Sequence, residues 1–156
     1  MRLYLVQHGE AKSKEEDPAR PLTARGEADV RCVADFAKRA GVQVGQIRHS
    51  GKRRAEQTAG ILGAALRPRN GVIAVSGLNP DDPIEPVAQA LASESKPLML
   101  VGHLPFMSLL AAKLITGNEN LCVVRFQMGG IVCLERDEQS RWSVAWMVTA
   151  ELLRQK

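Results

Sequence analysis

Short apolar runs alternate along the chain with longer segments whose apolar residues recur every three or four positions. The short runs are typical of buried strands, and the longer segments are typical of helices with one apolar stripe. The predicted strands are 3–6, 44–50, 72–75 and 97–101. The predicted helices start after the N-cap Thr23 and stop before Gly41, and then span 53–66, 84–93 and 106–115. Strands that alternate with helices predict an α/β sandwich with a mostly parallel central sheet.

The last part of the chain has a different pattern. Three more strands are predicted at 123–127, 131–135 and 142–148, and the turn residues of 137–140 join the last two strands as a hairpin. A short helix is predicted over 150–156. The fold class predicted from the pattern is therefore α/β, with a mostly parallel sheet and a C-terminal hairpin.

Length and composition narrow the class of protein. The 156 residues form one domain, 1–156, and no apolar run approaches the ~20 residues that cross a bilayer. The apolar start at 1–6 is too short for a signal peptide, so we expect a cytoplasmic protein without a membrane partner. Aromatic residues make up only 4%, which argues against a platform for single-stranded nucleic acid.

Charge and cysteine content add little. The net charge of +4 suits an anionic partner but also fits almost any soluble protein. Cys32, Cys122 and Cys133 form no C-x-x-C pair and are odd in number. We therefore expect small buried thiols in a reducing compartment, with neither a disulfide framework nor a zinc site.

Two histidines follow the two best-defined strands. His8 comes just after the strand 3–6, and His103 comes one glycine after the strand 97–101. The carboxyl ends of parallel strands are where α/β folds bind ligands, and a neighbouring glycine lets the backbone approach a ligand closely. A lone loop histidine is usually only a solvated or hydrogen-bonded residue, but two at matched strand ends favour a site.

Basic residues mark a second possible part of that site. Ser50 ends the second strand, and Lys52, Arg53 and Arg54 begin the next helix. The free N–H groups and positive dipole of a helix start suit an anion such as phosphate, whereas cations there oppose the dipole. A bound anion explains a fixed arginine there better than helix stability does, although a solvated basic turn is the alternative. Arg20, before Pro21, is a possible further donor to phosphate oxygens.

A metal site is the weaker interpretation of these residues. His8, Glu10, His103 and His49 offer imidazole and carboxylate ligands, but there is no H-E-x-x-H motif. The basic run 52–54 would also repel a divalent cation. We expect no metal.

The motifs together resemble a known family. The stretch 5–10, Leu-Val-Gln-His-Gly-Glu, is similar to the Arg-His-Gly signature of the histidine phosphatase (phosphoglycerate mutase-like) superfamily. Arg-Pro-Leu-Thr at 20–23, Arg-Ala-Glu-Gln-Thr at 54–58 and Gly-His-Leu-Pro at 102–105 resemble its small SixA-type phosphohistidine phosphatases. The motifs occur in the family order over nearly the whole chain.

The resemblance implies a three-layer α/β/α sandwich and a role for each matching residue. His8 would be the nucleophile that takes the phosphoryl group and passes it to water. Arg54 and protonated His103 would bind the phosphoryl oxygens, with Gly9, Arg20 and Ser50 near them. No metal or organic cofactor is implied. The implied partners are phosphate and a phosphorylated protein of the histidine phosphotransfer type, and not nucleic acid.

Gln7 departs from the family pattern, which has arginine there. Its amide can donate a hydrogen bond to phosphate but has no charge. Three outcomes stay open: compensation by Arg20, Lys52 or Arg53, reduced turnover, or a module that binds phosphoproteins without catalysis. Because His8, Arg54 and His103 are present, we favour catalysis. A basic nucleic-acid binder is a further alternative.

The general acid is also open. Enzymes that act on phosphate esters need a carboxylic acid to protonate a poor alkoxide leaving group. Glu10, Asp81 and Asp82 are candidates, but none has a diagnostic spacing. An imidazole leaving group can depart already protonated, so a phosphohistidine substrate needs no such acid. The small size of the chain, without a large insertion, indicates an exposed site that suits a protein side chain.

Overall fold

The structure is a computed structural model and describes residues 1–154. The strands of this part of the chain are β1 (Arg2–Gln7), β2 (Gln46–His49), β3 (Val72–Ala74), β4 (Leu98–Gly102), β5 (Ile131–Arg136) and β6 (Trp142–Val148). Its helices are α1 (Ala24–Arg39), α2 (Arg53–Leu66), α3 (Glu85–Ala92), α4 (Phe106–Thr116) and α5 (Ala150–Leu153). The end of the predicted last helix, 155–156, lies outside the described residues.

The six strands form one mixed sheet in the order β3-β2-β4-β1-β5-β6. The first four strands of this order run parallel to their neighbours. β5 is antiparallel to β1 and to β6, and the β5–β6 pair is the predicted hairpin. The predicted fold class is confirmed.

Apolar clusters cover both faces of the sheet and produce the three layers. Tyr4 and Val6 pack with residues of α1 and α2 on one face, whereas Leu3 and Leu5 pack with residues of α3 and α4 on the other. Successive side chains of a strand point to opposite faces, so β1 has apolar residues at four consecutive positions, 3–6. Full burial stabilises the fold by about 1.5–3 kcal/mol for each large side chain.

Helix ends explain how the chain enters the layers. Thr23 caps α1 as predicted, because its side chain accepts a hydrogen bond from the N–H of Gly26. Lys52, at the start of α2, provides no side-chain cap. The first N–H groups of α2 therefore lack both an intrahelical and a capping partner.

One predicted strand is wrong. Residues 123–127 are irregular, although Val124 and Phe126 are each only 8% exposed and their neighbours are exposed. The alternation reports burial and not strand pairing, because both sides of β5 are already occupied by β1 and β6.

The cysteine prediction is correct only in part. Cys133 is buried and Cys32 is partly buried, but Cys122 is exposed in the irregular segment before β5. All three are free thiols. No helix within residues 1–154 is long and apolar enough to cross a membrane.

Candidate active site

The two histidines meet because their strands are neighbours. Gln7 at the end of β1 lies in register with Gly102 at the end of β4, and the N–H of His8 donates to the carbonyl of Gly102 at 2.9 Å. The chain leaves both strands at the same edge of the sheet. The ring centroids of His8 and His103 are 5.1 Å apart, with the rings inclined at 52°.

His8 is held in one tautomer. Its Nδ1 lies 2.7 Å from the carbonyl oxygen of Gly9, and because a carbonyl only accepts, Nδ1 carries the proton. The lone pair is then on Nε2. Burial, and to a smaller degree the nearby charges of Arg54 and Arg20, lower the pKa of His8 to about 4. At neutral pH the imidazole is uncharged and has a nucleophilic nitrogen.

His103 is almost completely buried, at 1% exposure. Its Nε2 lies 2.7 Å from the Oγ of Ser50, and its Nδ1 is buried with no hydrogen-bond partner among the described residues. Burial, His8 and nearby cations lower the pKa of His103 to about 3. The expected protonation of His103 beside a phosphoryl group stays a prediction, because without a nearby negative charge a proton would add charge to a buried, already cationic surrounding.

Arg54 and Arg20 supply positive charge without a carboxylate. Arg54 lies in the first turn of α2, and its Nε is buried with no partner within residues 1–154. Burial, together with the charge of Arg20, lowers the pKa of the Arg54 guanidinium. Over the same residues, neither arginine forms an ion pair with Asp or Glu.

Arg20 is fixed by its backbone and by its own side chain. It has a φ of 49°, in the left-handed region that arginine rarely adopts, and its Nε donates to the carbonyl of Lys12 at 3.0 Å. Such backbone strain is typical of functional sites.

The arginines line an open cleft of about 570 Å³. Its basic residues are Lys14, Arg20, Lys52, Arg53 and Arg54, and its acidic residues are Asp81 and Asp82. Arg53 is paired with Glu56 at 2.8 Å and is half-exposed. Lys14 was not predicted as part of the site, because the loop 12–20 carries no signal of where it folds back.

Gln57 and Thr58 are further residues that the sequence reasoning did not single out for a role. Gln57 Oε1 accepts the N–H of Leu22 at 2.7 Å, and Thr58 Oγ1 accepts the N–H of Gly9 at 3.0 Å. Thr58 also donates to the carbonyl of Arg54 at 2.8 Å. These two residues of the Arg-Ala-Glu-Gln-Thr motif connect α2 to the loops around His8. Their position in the same motif as Arg54 was the available sequence signal.

The other predicted residues are placed as follows. Asp82 lines the cleft, and its carboxylate accepts the N–H of Asn79 at 2.9 Å. Glu10 accepts from Thr23 Oγ1 at 2.8 Å and lines a different cleft, so it is separated from the other two candidate acids, Asp81 and Asp82. Gln7 has its carbonyl bonded to the N–H of Gly129, and its role toward an anion stays a prediction.

Gly9 and His49 have structural partners. The N–H of Gly9 is already donated to Thr58, and its role toward an anion also stays a prediction. His49 is buried, and its Nδ1 accepts the N–H of Gly51 at 3.1 Å. Within residues 1–154, no three His, Cys, Asp or Glu side chains are grouped as a metal site would require.

Comparison with known proteins, by sequence and by structure, shows which class of protein has this fold and this pair of histidines. Residues 3–79 match the model of the histidine phosphatase superfamily (branch 1). The chain belongs to this superfamily.

Particular relatives extend the match over the whole chain. The phosphohistidine phosphatase SixA of Escherichia coli (strain K12) is 27% identical over 154 residues, which cover 96% of this chain and 94% of that protein. An uncharacterised protein of Picosynechococcus sp. (strain ATCC 27264 / PCC 7002 / PR-6) is 37% identical over 113 residues, or 67% of each chain. A structure of the protein histidine phosphatase SixA complexed with tungstate has a TM-score of 0.87 at 24% identity, covering 99% of this chain and 100% of that one.

Proposed function

We propose that this chain is a phosphatase that removes phosphoryl groups from phosphohistidine in a protein, through a phosphorylated His8. One observation carries the proposal. Arg54 and Arg20 lie close enough to lower the pKa of both His8 and His103, yet neither arginine has a carboxylate partner among the described residues. The positive charge of such a cluster is not balanced until an anion binds.

The first chemical step uses the lone pair of His8 Nε2. It attacks the phosphorus atom while the bond from phosphorus to the leaving nitrogen breaks, and that electron pair stays with the leaving imidazole. The Nδ1 bond to Gly9 keeps the attacking nitrogen unprotonated and stabilises the positive ring that forms. Water then attacks the phosphorus atom, the P–N bond to His8 breaks, and phosphate leaves.

Binding of the phosphoryl oxygens falls to donors around the two rings. Arg54, His103 and the first N–H groups of α2 are the proposed donors to a phosphoryl group held at His8 Nε2, and removal of one such donor typically lowers the rate by about 10²–10³. Arg20 and Lys52 compensate for the uncharged Gln7, since both line the cleft and both charges reach His103. Arg53 is less suited, because it is engaged with Glu56.

Binding of the anion changes the state of His103. A phosphoryl dianion next to the ring opposes the repulsion from the arginines and raises the pKa of His103. The site therefore gains a positive donor only when substrate is present.

The substrate class follows from the leaving group and the open cleft. The leaving group of a phosphohistidine is an imidazole, which needs no general acid. A phosphate ester would instead depend on a carboxylic acid of this cleft, such as Asp82. The Escherichia coli relative is a phosphohistidine phosphatase. We therefore propose a phosphohistidine-bearing protein of the histidine phosphotransfer type as the partner, with no metal taking part.

The test uses a phosphorylated histidine-containing protein with EDTA present. We expect phosphate release by the wild-type chain and none by His8→Ala. Radiolabel from the substrate should remain on wild-type protein quenched in alkaline detergent, as an alkali-stable, acid-labile adduct, and be missing from His8→Ala. Equal release by both proteins, or release by neither while vanadate still binds, would overturn the proposal, and the second result would indicate a binding module.

A further inference from the structure

Partly buried Ser50 forms a hydrogen bond with buried His103, and the geometry of this pair bears on where the ring carries its hydrogen. The Oγ of Ser50 lies 2.7 Å from Nε2 of His103, and Nδ1 of the same ring is buried without a partner in residues 1–154. The ring centroid lies 5.1 Å from that of His8. One nitrogen of His103 therefore faces the serine, and the other is left for a ligand.

The direction of the Ser50–His103 hydrogen bond follows from the other bonds of the hydroxyl group. Ser50 Oγ already accepts the N–H of Lys52 at 3.3 Å. In the described part of the chain, His103 Nε2 is the hydrogen-bond partner of Ser50 Oγ that could accept its hydroxyl hydrogen. A hydroxyl that donates to Nε2 requires an unprotonated Nε2, and a neutral imidazole then carries its one hydrogen on Nδ1.

We propose that Ser50 is a positioning residue, which donates to Nε2 of His103 and so keeps the ring hydrogen on Nδ1, from where it is donated to the phosphoryl group at His8. This inference rests on the proposed function for the identity of the anion. The opposite tautomer would present the Nδ1 lone pair to the phosphoryl oxygens and repel them. The tautomer matters while the ring is neutral: hydrogen on Nδ1 can be donated at once to an arriving phosphoryl group, whereas the opposite tautomer must first gain a proton.

The loop around Ser50 has its own supports, so the proposed role is separable from loop folding. His49 Nδ1 accepts the N–H of Gly51, and Gly51 has a φ of 89°, which glycine adopts without strain. These bonds persist when the Ser50 hydroxyl is removed. Ser50→Ala should therefore fold and lose the donor, whereas Ser50→Thr keeps a hydroxyl group and serves as the matched control.

The first experiment measures the tautomer directly. The chain has three histidines, so ¹⁵N ring signals can be assigned with His8→Gln and His49→Gln variants. In phosphate-free buffer near neutral pH we expect His103 with hydrogen on Nδ1 in the wild type and in Ser50→Thr, and a mixture of tautomers in Ser50→Ala. A wild-type His103 with hydrogen on Nε2, or an unchanged tautomer in Ser50→Ala, would overturn the inference. This arm does not depend on catalysis.

The second experiment measures turnover of p-nitrophenyl phosphate or of the phosphorylated protein. We expect kcat to fall at least tenfold in Ser50→Ala, with Ser50→Thr restoring most of it and thermal unfolding similar in all three proteins. An unchanged kcat in Ser50→Ala would also overturn the inference. If the wild type turns over neither substrate, the proposed function fails, and the ring-nitrogen spectra with and without vanadate still decide the role of Ser50.

Discussion

His8 should make the stability of the protein depend on pH in a way that a neutral replacement removes. Its pKa falls from the ordinary 6.5 to about 4 in the folded chain, mainly because the ring is buried. The unfolded chain therefore binds more protons than the folded chain between these two values, and the free energy of unfolding rises with pH in that window. At one pKa unit per 1.36 kcal/mol, the contribution of His8 amounts to about 3 kcal/mol.

The test compares the wild type with His8→Gln by urea unfolding from about pH 7 to about pH 4.5 in buffers free of phosphate and sulfate. The contribution is present in full above the unfolded-state pKa of 6.5 and is lost as the pH falls toward the folded-state pKa of about 4. We therefore expect the wild type to lose most of this ~3 kcal/mol relative to His8→Gln over the range. Parallel curves for the two proteins would refute the reasoning, because His8 would then titrate alike in the folded and unfolded chains.

Two further predictions follow from the site and its support. Arg54→Gln should lower the rate by about 10²–10³ and abolish the thermal stabilisation of the protein by vanadate. Arg53→Gln should change the rate less than tenfold, since Arg53 is paired with Glu56. Equal effects of the two variants in a turnover assay would contradict this assignment. Gly26→Ala should destabilise the protein by about 1–3 kcal/mol, because the new Cβ would overlap the backbone of Glu10. A Cβ at Gly60 meets nothing within 4 Å, so Gly60→Ala should stabilise α2 by about 0.5–1 kcal/mol. Urea midpoints that move in the same direction in both variants would show that the close approach at Gly26 is absent.

Most of the fold could be predicted because periodicity is a local property. The predicted helix 53–66 and the predicted strand 142–148 coincide with α2 and β6. The segment 123–127 could not be placed, because its alternation is produced by Val124 and Phe126 reaching into the core from an unpaired chain. Hydrophobic pattern records which side chains are buried, and a strand also needs a neighbour with free backbone groups.

The site could be predicted in part for the same reason. His8 and His103 were recognised at strand ends, and the shared edge of a parallel sheet made their meeting a reasonable expectation. The sequence could not show that β1 and β4 are adjacent, that Glu10 turns toward Thr23, or that His103 is bonded to Ser50. Nor could it show that His103 is neutral, because its pKa depends on burial and on charges from separate loops.

The position of β1 in the sheet has a consequence for how the protein is made. β1 is the first strand to be synthesised, but its two neighbours are β4, which starts at Leu98, and β5, which ends at Arg136. Until both have emerged from the ribosome, the apolar residues of β1 and its backbone groups on both edges have no native partner. The nascent chain must therefore keep this apolar strand from associating with other chains during most of translation, and slow elongation in this interval should favour aggregation.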